Sequence, residues 1–253
     1  MQDVLFIVLI PFMGSVLGSL AVFFVIGSFS RTAEALLSGF SAGVMVAASV
    51  FSLLLPAIDA SSAYGFFAAL PALIGLFIGF LLMQFVDVFT DSLFREGKTE
   101  VGEKRVFLLT LAVTVHNLPE GMAVGVALAG ALSGNSGMMI ASVVALAVGV
   151  AMQNIPEGSI ISLPLASSGV KKKNAFVAGV LSGLVEPIGA TLTLLAAGFI
   201  LPILPYLLGF AAGAMLSVVV TELVPATVEK RGMGTMAFAV GFSVMTFLDV
   251  ALG

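Results

Sequence analysis

The chain has 253 residues, of which 60% are hydrophobic and only 9% are charged, and its mean hydropathy is +1.20. Soluble domains carry about 25% charged residues, so this composition predicts an all-α membrane protein. The net charge of −4 and the lack of basic patches give no support for nucleic acid as a partner, and none is expected. The absence of cysteine excludes disulfides, thiolate metal sites and thiol catalysis.

Apolar runs long enough to span a bilayer follow one another along the whole chain. They predict eight helices, at residues 4–27, 33–58, 66–88, 106–131, 137–165, 175–200, 203–227 and 235–252 of a single transmembrane domain, 1–253. The N-terminal segment MQDVLFIVLI carries Asp3 and lacks the positively charged start of a secretory signal. We therefore expect this segment to be the start of the first spanning helix.

The basic residues predict the orientation of this bundle. All ten lie before predicted helices 2, 4, 6 and 8, and they are Arg31, Arg95, Lys98, Lys104, Arg105, Lys171, Lys172, Lys173, Lys230 and Arg231. By the positive-inside rule these four connections are cytoplasmic. Both termini are therefore predicted to be extracytoplasmic.

Four glutamates, Glu120, Glu157, Glu186 and Glu222, fall inside apolar runs. Because a charge at the bilayer centre costs about 3 kcal/mol, such residues are expected to face the bundle interior and to mark an ion or proton pathway. The first three lie 13 to 15 residues from the nearest cytoplasmic basic residue, which is on the order of 20 Å along a helix. Three helices are thus predicted to place a carboxylate in one midplane layer, with Glu222 nearer the cytoplasm.

A polar hexapeptide occurs twice in these runs, as HNLPEG at 116–121 and as QNIPEG at 153–158. Within each copy the polar residues are three or four positions apart, so they project from one helix face. The two copies lie on consecutive predicted helices of opposite direction. We therefore expect them to meet about an approximate twofold axis in the membrane plane, which gives the bundle inverted-repeat character.

Three carboxylates, three amides and one imidazole in one layer indicate a divalent-cation site of oxygen and nitrogen ligands, suited to Zn, Fe, Mn or Cd. Other interpretations stay open at this point. The histidine is also consistent with an interhelical hydrogen bond, the glutamates with a metal-free proton relay, and Met45, at the same predicted depth, with core packing.

These motifs resemble those of the ZIP (Zrt/Irt-like) divalent-metal transporters, which have eight spanning helices, outside termini and HNxPEG-type motifs on helices 4 and 5. The resemblance covers essentially the whole chain and implies import of a divalent cation, zinc first, through a two-metal midplane centre. The ligands that it implies are Met45, His116, Asn117, Glu120, Gln153, Asn154, Glu157 and Glu186. Glu222 resembles the acid of the exit path, and Asp59 and Asp249 lie near the outer helix ends, where we expect them to recruit cations.

Many members of that family have histidine at the position of Gln153. The glutamine makes this chain most similar to the bacterial GufA-like branch. This likeness predicts a multi-pass protein of a bacterial inner membrane, with metal ions and membrane lipids as partners and a homodimer left open. It also predicts two unequal metal positions, because Asn154 is less anionic than an aspartate.

Two rival functions remain at this stage. An intramembrane metal-dependent hydrolase needs three protein ligands and an open coordination position, yet HExxH is absent and the chain has one histidine. A proton-linked carrier of a small solute calls for cationic contacts, yet no Lys or Arg lies within an apolar run. The sequence thus favours a secondary transporter over an enzyme.

Overall fold

The computed structural model describes residues 2–24, 30–96, 103–134, 139–167, 169–228 and 232–252, and within these ranges the regular structure is helical throughout. The long helices are α1 (Gln2–Phe24), α2 (Arg31–Ala60), α3 (Leu70–Glu96), α4 (Glu103–Ser133), α5 (Ile140–Ser167), α6 (Lys172–Leu195), α7 (Leu201–Val228) and α8 (Met233–Leu252). A short helix, Ala197–Ile200, precedes α7. Their apolar core consists mainly of Ala, Val and Leu side chains of α2, α4, α5 and α7.

Six of these helices, all but α3 and α4, are long and apolar enough to cross a membrane within the described residues, and α3 contains a shorter apolar stretch, Leu70–Val86. The prediction of an all-α membrane protein is therefore confirmed. The count of eight spans and the outside termini stay predictions. Of the basic residues that carry the predicted orientation, Lys98, Lys230 and Arg231 lie outside the described residues, as do the predicted helix ends at 25–27 and 137–138.

Glycines bring the helices together in four close pairs, α1 with α5, α2 with α8, α3 with α7 and α4 with α6. A Cβ atom on Gly18 of α1 would collide with the carbonyl oxygen of Ile155, and one on Gly79 of α3 with that of Phe210. In a bilayer, where lipid tails are as apolar as the side chains, such close backbone approach is what holds helices together.

This pairing scheme has an internal symmetry. Exchanging α1 with α6, α2 with α7, α3 with α8 and α4 with α5 converts every close pair into another close pair. The exchanged helices α2 and α7 also share a local feature, since each contains a π-helical turn, Ala48–Leu54 or Val219–Leu223, followed two residues later by Pro56 or Pro225. This contact pattern agrees with the predicted inverted repeat, which stays a prediction.

Two of the helices differ from the predicted runs for local reasons. The run expected to start at 66 begins as a helix at Leu70, because Ser62–Phe67 forms a 3-10 turn that contains Gly65 at φ 55°. Helix α6 is interrupted after Gly183. The proline at 187 has no N–H to donate to the Gly183 carbonyl, and the break places Glu186 in the first turn of the second half of α6.

Candidate metal site

The two hexapeptides lie on α4 and α5, and both helices run without interruption through Pro119 and Pro156. Most of their polar side chains are buried: Asn117, Glu120, Gln153 and Asn154 are at most 3% exposed. Glu186 of α6 is fully buried as well, whereas Glu157 is half-buried. The polar faces therefore turn into the bundle.

A direct hydrogen bond joins the two copies of the motif. The amide nitrogen of Gln153 donates to Glu120 Oε1 over 2.6 Å, from α5 to α4. The backbone carbonyl of Gln153 accepts a hydrogen bond from Ser41 Oγ of α2 at 2.9 Å. The first residue of the second motif is thus held from two sides, and its helix is tied to α2 at the same depth.

Glu186 is the second meeting point of the motifs. Its Oε1 accepts from Ser15 Oγ at 3.0 Å and from the amide nitrogen of Asn117 at 3.3 Å, and its Oε2 accepts from the amide nitrogen of Asn154 at 2.7 Å. One carboxylate from α6 therefore binds the asparagines of both motifs. A hydrogen bond to a charged acceptor is worth about 1.5–3 kcal/mol, so these contacts fix the two amides firmly.

The amide nitrogens of the motifs donate hydrogen bonds, whereas most of the acceptor oxygens accept none. Five of them are buried without a hydrogen-bond partner among the described residues: Asn117 Oδ1, Glu120 Oε2, Gln153 Oε1, Asn154 Oδ1 and Glu157 Oε1. The other buried polar side-chain atoms without a partner are serine hydroxyls, which are also donors. Buried acceptors left without donors are costly. Bound cations are one kind of partner for such oxygens.

The carboxylates are close enough for their charges to interact, with Glu157 interacting with Glu120 and with Glu222 of α7. Among the described side chains, however, no group of three His, Cys, Asp or Glu residues is placed to hold a metal ion. The site as described therefore depends on amide oxygens alongside the carboxylates. The side chain of His116 lies outside the described residues, although its backbone is part of α4.

The remaining predicted residues lie around this cluster. Met45 is buried in the apolar core on α2, one turn beyond Ser41. Glu222 is exposed and belongs to the π turn of α7. Asp59 is exposed near the end of α2, and the half-buried Asp249 of α8 accepts a hydrogen bond from Ser52 Oγ at 2.7 Å.

Sequence reasoning missed the contribution of α1. The hydroxyl of Ser15 contacts Glu186, and the carbonyl of Pro11 accepts from the amide nitrogen of Asn154 at 3.2 Å. The small-residue segment GSVLGS at 14–19 was the available signal, but such segments are typical of helix packing in any membrane protein.

The closing glycine of each hexapeptide has a packing role that the motif alone does not reveal. A Cβ on Gly121 would collide with the backbone of Glu186 on α6, and a Cβ on Gly158 with the backbone of Ser15 and Ser19 on α1. Each glycine thus lets a neighbouring helix come close to the motif. Without this approach, Glu186 and the Pro11 carbonyl would not reach the asparagines.

Comparison with known proteins gives a consistent result. The family model described as ZIP Zinc transporter matches residues 95–249. The chain is 39% identical to "Zinc transporter ZIPB" of Bordetella bronchiseptica over 88% of this chain and 73% of the relative. It is 34% identical to "Zinc transporter GufA" of Myxococcus xanthus over 94% of both chains, and 35% identical to "Zinc transporter ZIP11" of Xenopus tropicalis over 85% and 87%.

Proposed function

The chain belongs to the ZIP family of zinc transporters, and from this membership we propose that it carries divalent transition-metal cations, zinc first, across a membrane into the cytoplasm. It is a multi-pass membrane protein and a transporter, not an enzyme. The hydrolase hypothesis therefore loses its basis. The bacterial inner membrane stays a prediction, because relatives from vertebrates match the chain as bacterial ones do.

The observation that carries this proposal is the asymmetry between donors and acceptors in the cluster. Every amide nitrogen of Asn117, Gln153 and Asn154 has a carboxylate partner, whereas the amide oxygen of each is buried without one. An ordinary interhelical hydrogen-bond network would use both ends of an amide. Buried oxygens without donors suit a dication with hard or borderline ligand preference.

We assign the ligand roles from this asymmetry. The partnerless oxygens belong to Asn117, Glu120, Gln153, Asn154 and Glu157. His116 adds an imidazole from the first motif. Exchanging α4 with α5 relates position 116 to position 153 and Glu157 to Glu120. We therefore expect residue 116 to stand to Glu157 as Gln153 stands to Glu120. This gives two metal positions of unequal chemistry, one with an imidazole and one with an amide. Met45 supplies a soft ligand from α2, and Glu186 adds a carboxylate from α6.

The ion path follows from the acids on either side of the cluster. Asp59 and Asp249 attract cations at the outer ends of α2 and α8, and Asp249 is oriented by its hydrogen bond to Ser52. On the other side Glu157 interacts with the charge of Glu222, which takes the cation toward the cytoplasm. On both sides of the cluster, carboxylate oxygens replace water around the cation. This replacement lowers the free-energy cost of dehydrating a dication inside the bilayer.

The helix pairs provide a means of exposing the cluster to each side in turn. Helices α1, α4, α5 and α6 pack closely on one another and carry nearly all of the ligands, and α2, α3, α7 and α8 form a second group. The groups meet chiefly through α2 against α5 and α4 against α7. Movement of one group against the other opens the site alternately to the two sides, as in other transporters built from inverted repeats.

Metal uptake into proteoliposomes tests the proposal. Parent protein is compared with Glu157→Ala, His116→Ala and the control Glu34→Ala, which removes an acid from the first turn of α2, away from the cluster. We expect zinc uptake by parent and control, and its loss in the two site variants. Unchanged zinc, cadmium, manganese and iron uptake in both site variants would contradict the proposal, and the relative rates define the metal preference.

A further inference from the structure

A second internal repeat lies on α2 and α7, outside the polar hexapeptides. Residues 39–45 read GFSAGVM and residues 209–215 read GFAAGAM. The copies differ at the third position, which is Ser41 on α2 and Ala211 on α7, and at the sixth, where valine is replaced by alanine. The repeat therefore links the same two helices that the exchange of close pairs relates.

Glycine contacts put the two copies in the same register. The fifth residue of each copy is a glycine whose Cβ would collide with a carbonyl of the partner helix, Gly43 with that of Phe238 on α8 and Gly213 with that of Leu76 on α3. The first glycine of each copy makes the same contact four residues earlier on the same partner helix. Sequence and packing thus define one correspondence, in which the third positions of the two copies are equivalent.

The third position is where the two copies differ in hydrogen bonding. Ser41 is fully buried, and its hydroxyl donates to the backbone carbonyl of Gln153 on α5 at 2.9 Å. Gln153 opens the second hexapeptide and His116 opens the first, so the equivalent contact pairs Ala211 of α7 with the carbonyl of His116 on α4. Ala211 is buried too, but its methyl group cannot donate a hydrogen bond. The hydrogen bond of Ser41 therefore has no equivalent at the exchanged position.

The Ser41 hydrogen bond crosses the boundary between the two helix groups. Helix α2 belongs to the group with α3, α7 and α8, and α5 belongs to the group with α1, α4 and α6. Because the groups meet chiefly through α2 against α5 and α4 against α7, these two contacts change when one group moves against the other. The acceptor residue, Gln153, also binds Glu120 through its side chain, so the crossing contact lies at the depth of the metal cluster.

We propose that Ser41 is a conformational latch, a residue that favours the described arrangement of the helix groups over the one in which the metal site opens to the opposite side. The inference rests on the proposed function. When the two halves of an inverted repeat exchange their arrangements, α7 takes on α4 the position that α2 has on α5. Ala211 brings no hydroxyl to that position, so the hydrogen bond is lost in the second state and is not replaced.

The size of the bias follows from what the two partners do when their hydrogen bond breaks. The Gln153 carbonyl still accepts the backbone N–H four residues later, as in any uninterrupted α-helix. The Ser41 hydroxyl can turn to the carbonyl four residues earlier in its own helix, as serines in helices do. The difference between the states is therefore the net value of one neutral hydrogen bond, which favours the described state about 5-fold, equivalent to about 1 kcal/mol.

Spin-label distance measurements on the purified, detergent-solubilised protein test the latch. Because the chain has no cysteine, labels at Ala60→Cys and Leu195→Cys, the exposed ends of α2 and α6, report the separation of the two groups. Ser41→Ala is compared with Ser49→Ala, which lies on the same helical segment, is equally buried and has a hydroxyl without a partner among the described residues. We expect Ser41→Ala to lower the ratio of described to second state about 5-fold relative to Ser49→Ala.

The repeat also supplies a variant that adds the hydroxyl on the other side. Ala211→Ser gives α7 the donor that α2 has, so it should stabilise the second state and lower the same ratio about 5-fold. In the double variant, Ser41→Ala with Ala211→Ser, the hydroxyl moves from one copy of the repeat to the other. The two shifts should then combine to about 25-fold, as for independent sites.

Equal ratios in Ser41→Ala and Ser49→Ala would overturn the inference. So would an unchanged or higher ratio in Ala211→Ser, or a single, unchanged distance in the parent and all variants. Each of these results leaves the proposed function intact where parent proteoliposomes take up zinc. Absence of zinc uptake by the parent would instead overturn the proposed function, and with it the assignment of the two arrangements to steps of transport.

Discussion

The amide nitrogen of Gln153 lies 2.6 Å from Glu120 Oε1 and donates a hydrogen bond to it, so the first residue of one motif binds the glutamate of the other. This contact turns the amide oxygen of Gln153 away from Glu120, and that oxygen is one of the five buried acceptors without a partner. Glutamine thus replaces histidine in the second motif without losing the link between α4 and α5.

Substitution of Gln153 by histidine should tighten zinc binding. An imidazole can donate one N–H to Glu120 and present its other nitrogen to the metal, which replaces a weak amide ligand with a strong one. We expect the zinc Kd to fall about 10-fold, equivalent to about 1.4 kcal/mol, with a smaller change for manganese. Titration with both ions measures the effect.

The matched control for this prediction is the exchange variant His116→Gln with Gln153→His, which keeps one imidazole but moves it to the other motif. If the two motifs are related by the helix exchange, this variant should retain parental zinc affinity. Unchanged affinity and selectivity in Gln153→His alone would mean that residue 153 is not a ligand.

Replacement of Asn154 by aspartate should make the thermal stability of the protein depend more strongly on bound zinc. The variant loses the donor to Glu186 Oε2 and to the Pro11 carbonyl and sets two carboxylates against each other. Without metal its unfolding temperature should fall, and saturating zinc should raise that temperature by more than in the parent.

Asn154→Ala is the control for the aspartate variant, because it removes the same donor without adding a charge. It should show the lower metal-free unfolding temperature without the larger rise on adding zinc. A rise in Asn154→Asp no larger than in Asn154→Ala would contradict the prediction.

The closing glycine of the first motif should tolerate no side chain. In Gly121→Ala the new methyl group would meet the backbone of Glu186, so α4 and α6 must separate, which should destabilise the protein by about 1–3 kcal/mol. Gly198→Ala is the control, since a Cβ there meets no atom within 4 Å. Thermal unfolding in detergent compares the two, and equal unfolding temperatures would argue against the α4–α6 contact.

Loss of the hydrogen bond between Ser52 and Asp249 should affect capture of the cation rather than its passage. In Ser52→Ala the Asp249 carboxylate loses its 2.7 Å hydrogen bond and its fixed orientation. We expect the KM for zinc uptake to rise about 3-fold at unchanged maximal rate, as for a lost hydrogen bond of about 0.7 kcal/mol. Ser243→Ala on α8 is the control, because the Ser243 hydroxyl donates to the Ala239 carbonyl of its own helix. A lower maximal rate in Ser52→Ala would contradict the prediction and would place Ser52 and Asp249 deeper in the ion path.

The sequence by itself determined the membrane environment and the identity of the polar cluster. Apolar runs of sufficient length have one stable environment, and glutamates inside them are too costly to lie at random. Helical spacing then put Asn117 beside Glu120 and Asn154 beside Glu157 without reference to any other part of the chain.

Only the tertiary structure decided how the polar atoms divide between donors and acceptors. From the sequence, only its predicted depth assigned Glu186 to the cluster. In the structure its hydrogen-bond partners come from α1, α4 and α5. Which partners it reaches depends on which glycines let the helices approach each other. Ser15 has no local signal that distinguishes it from Ser19, since both occupy similar positions in a small-residue segment. Their difference arises because Gly183 and the break in α6 bring Glu186 to one hydroxyl and not the other, a long-range contact that no spacing within α1 encodes.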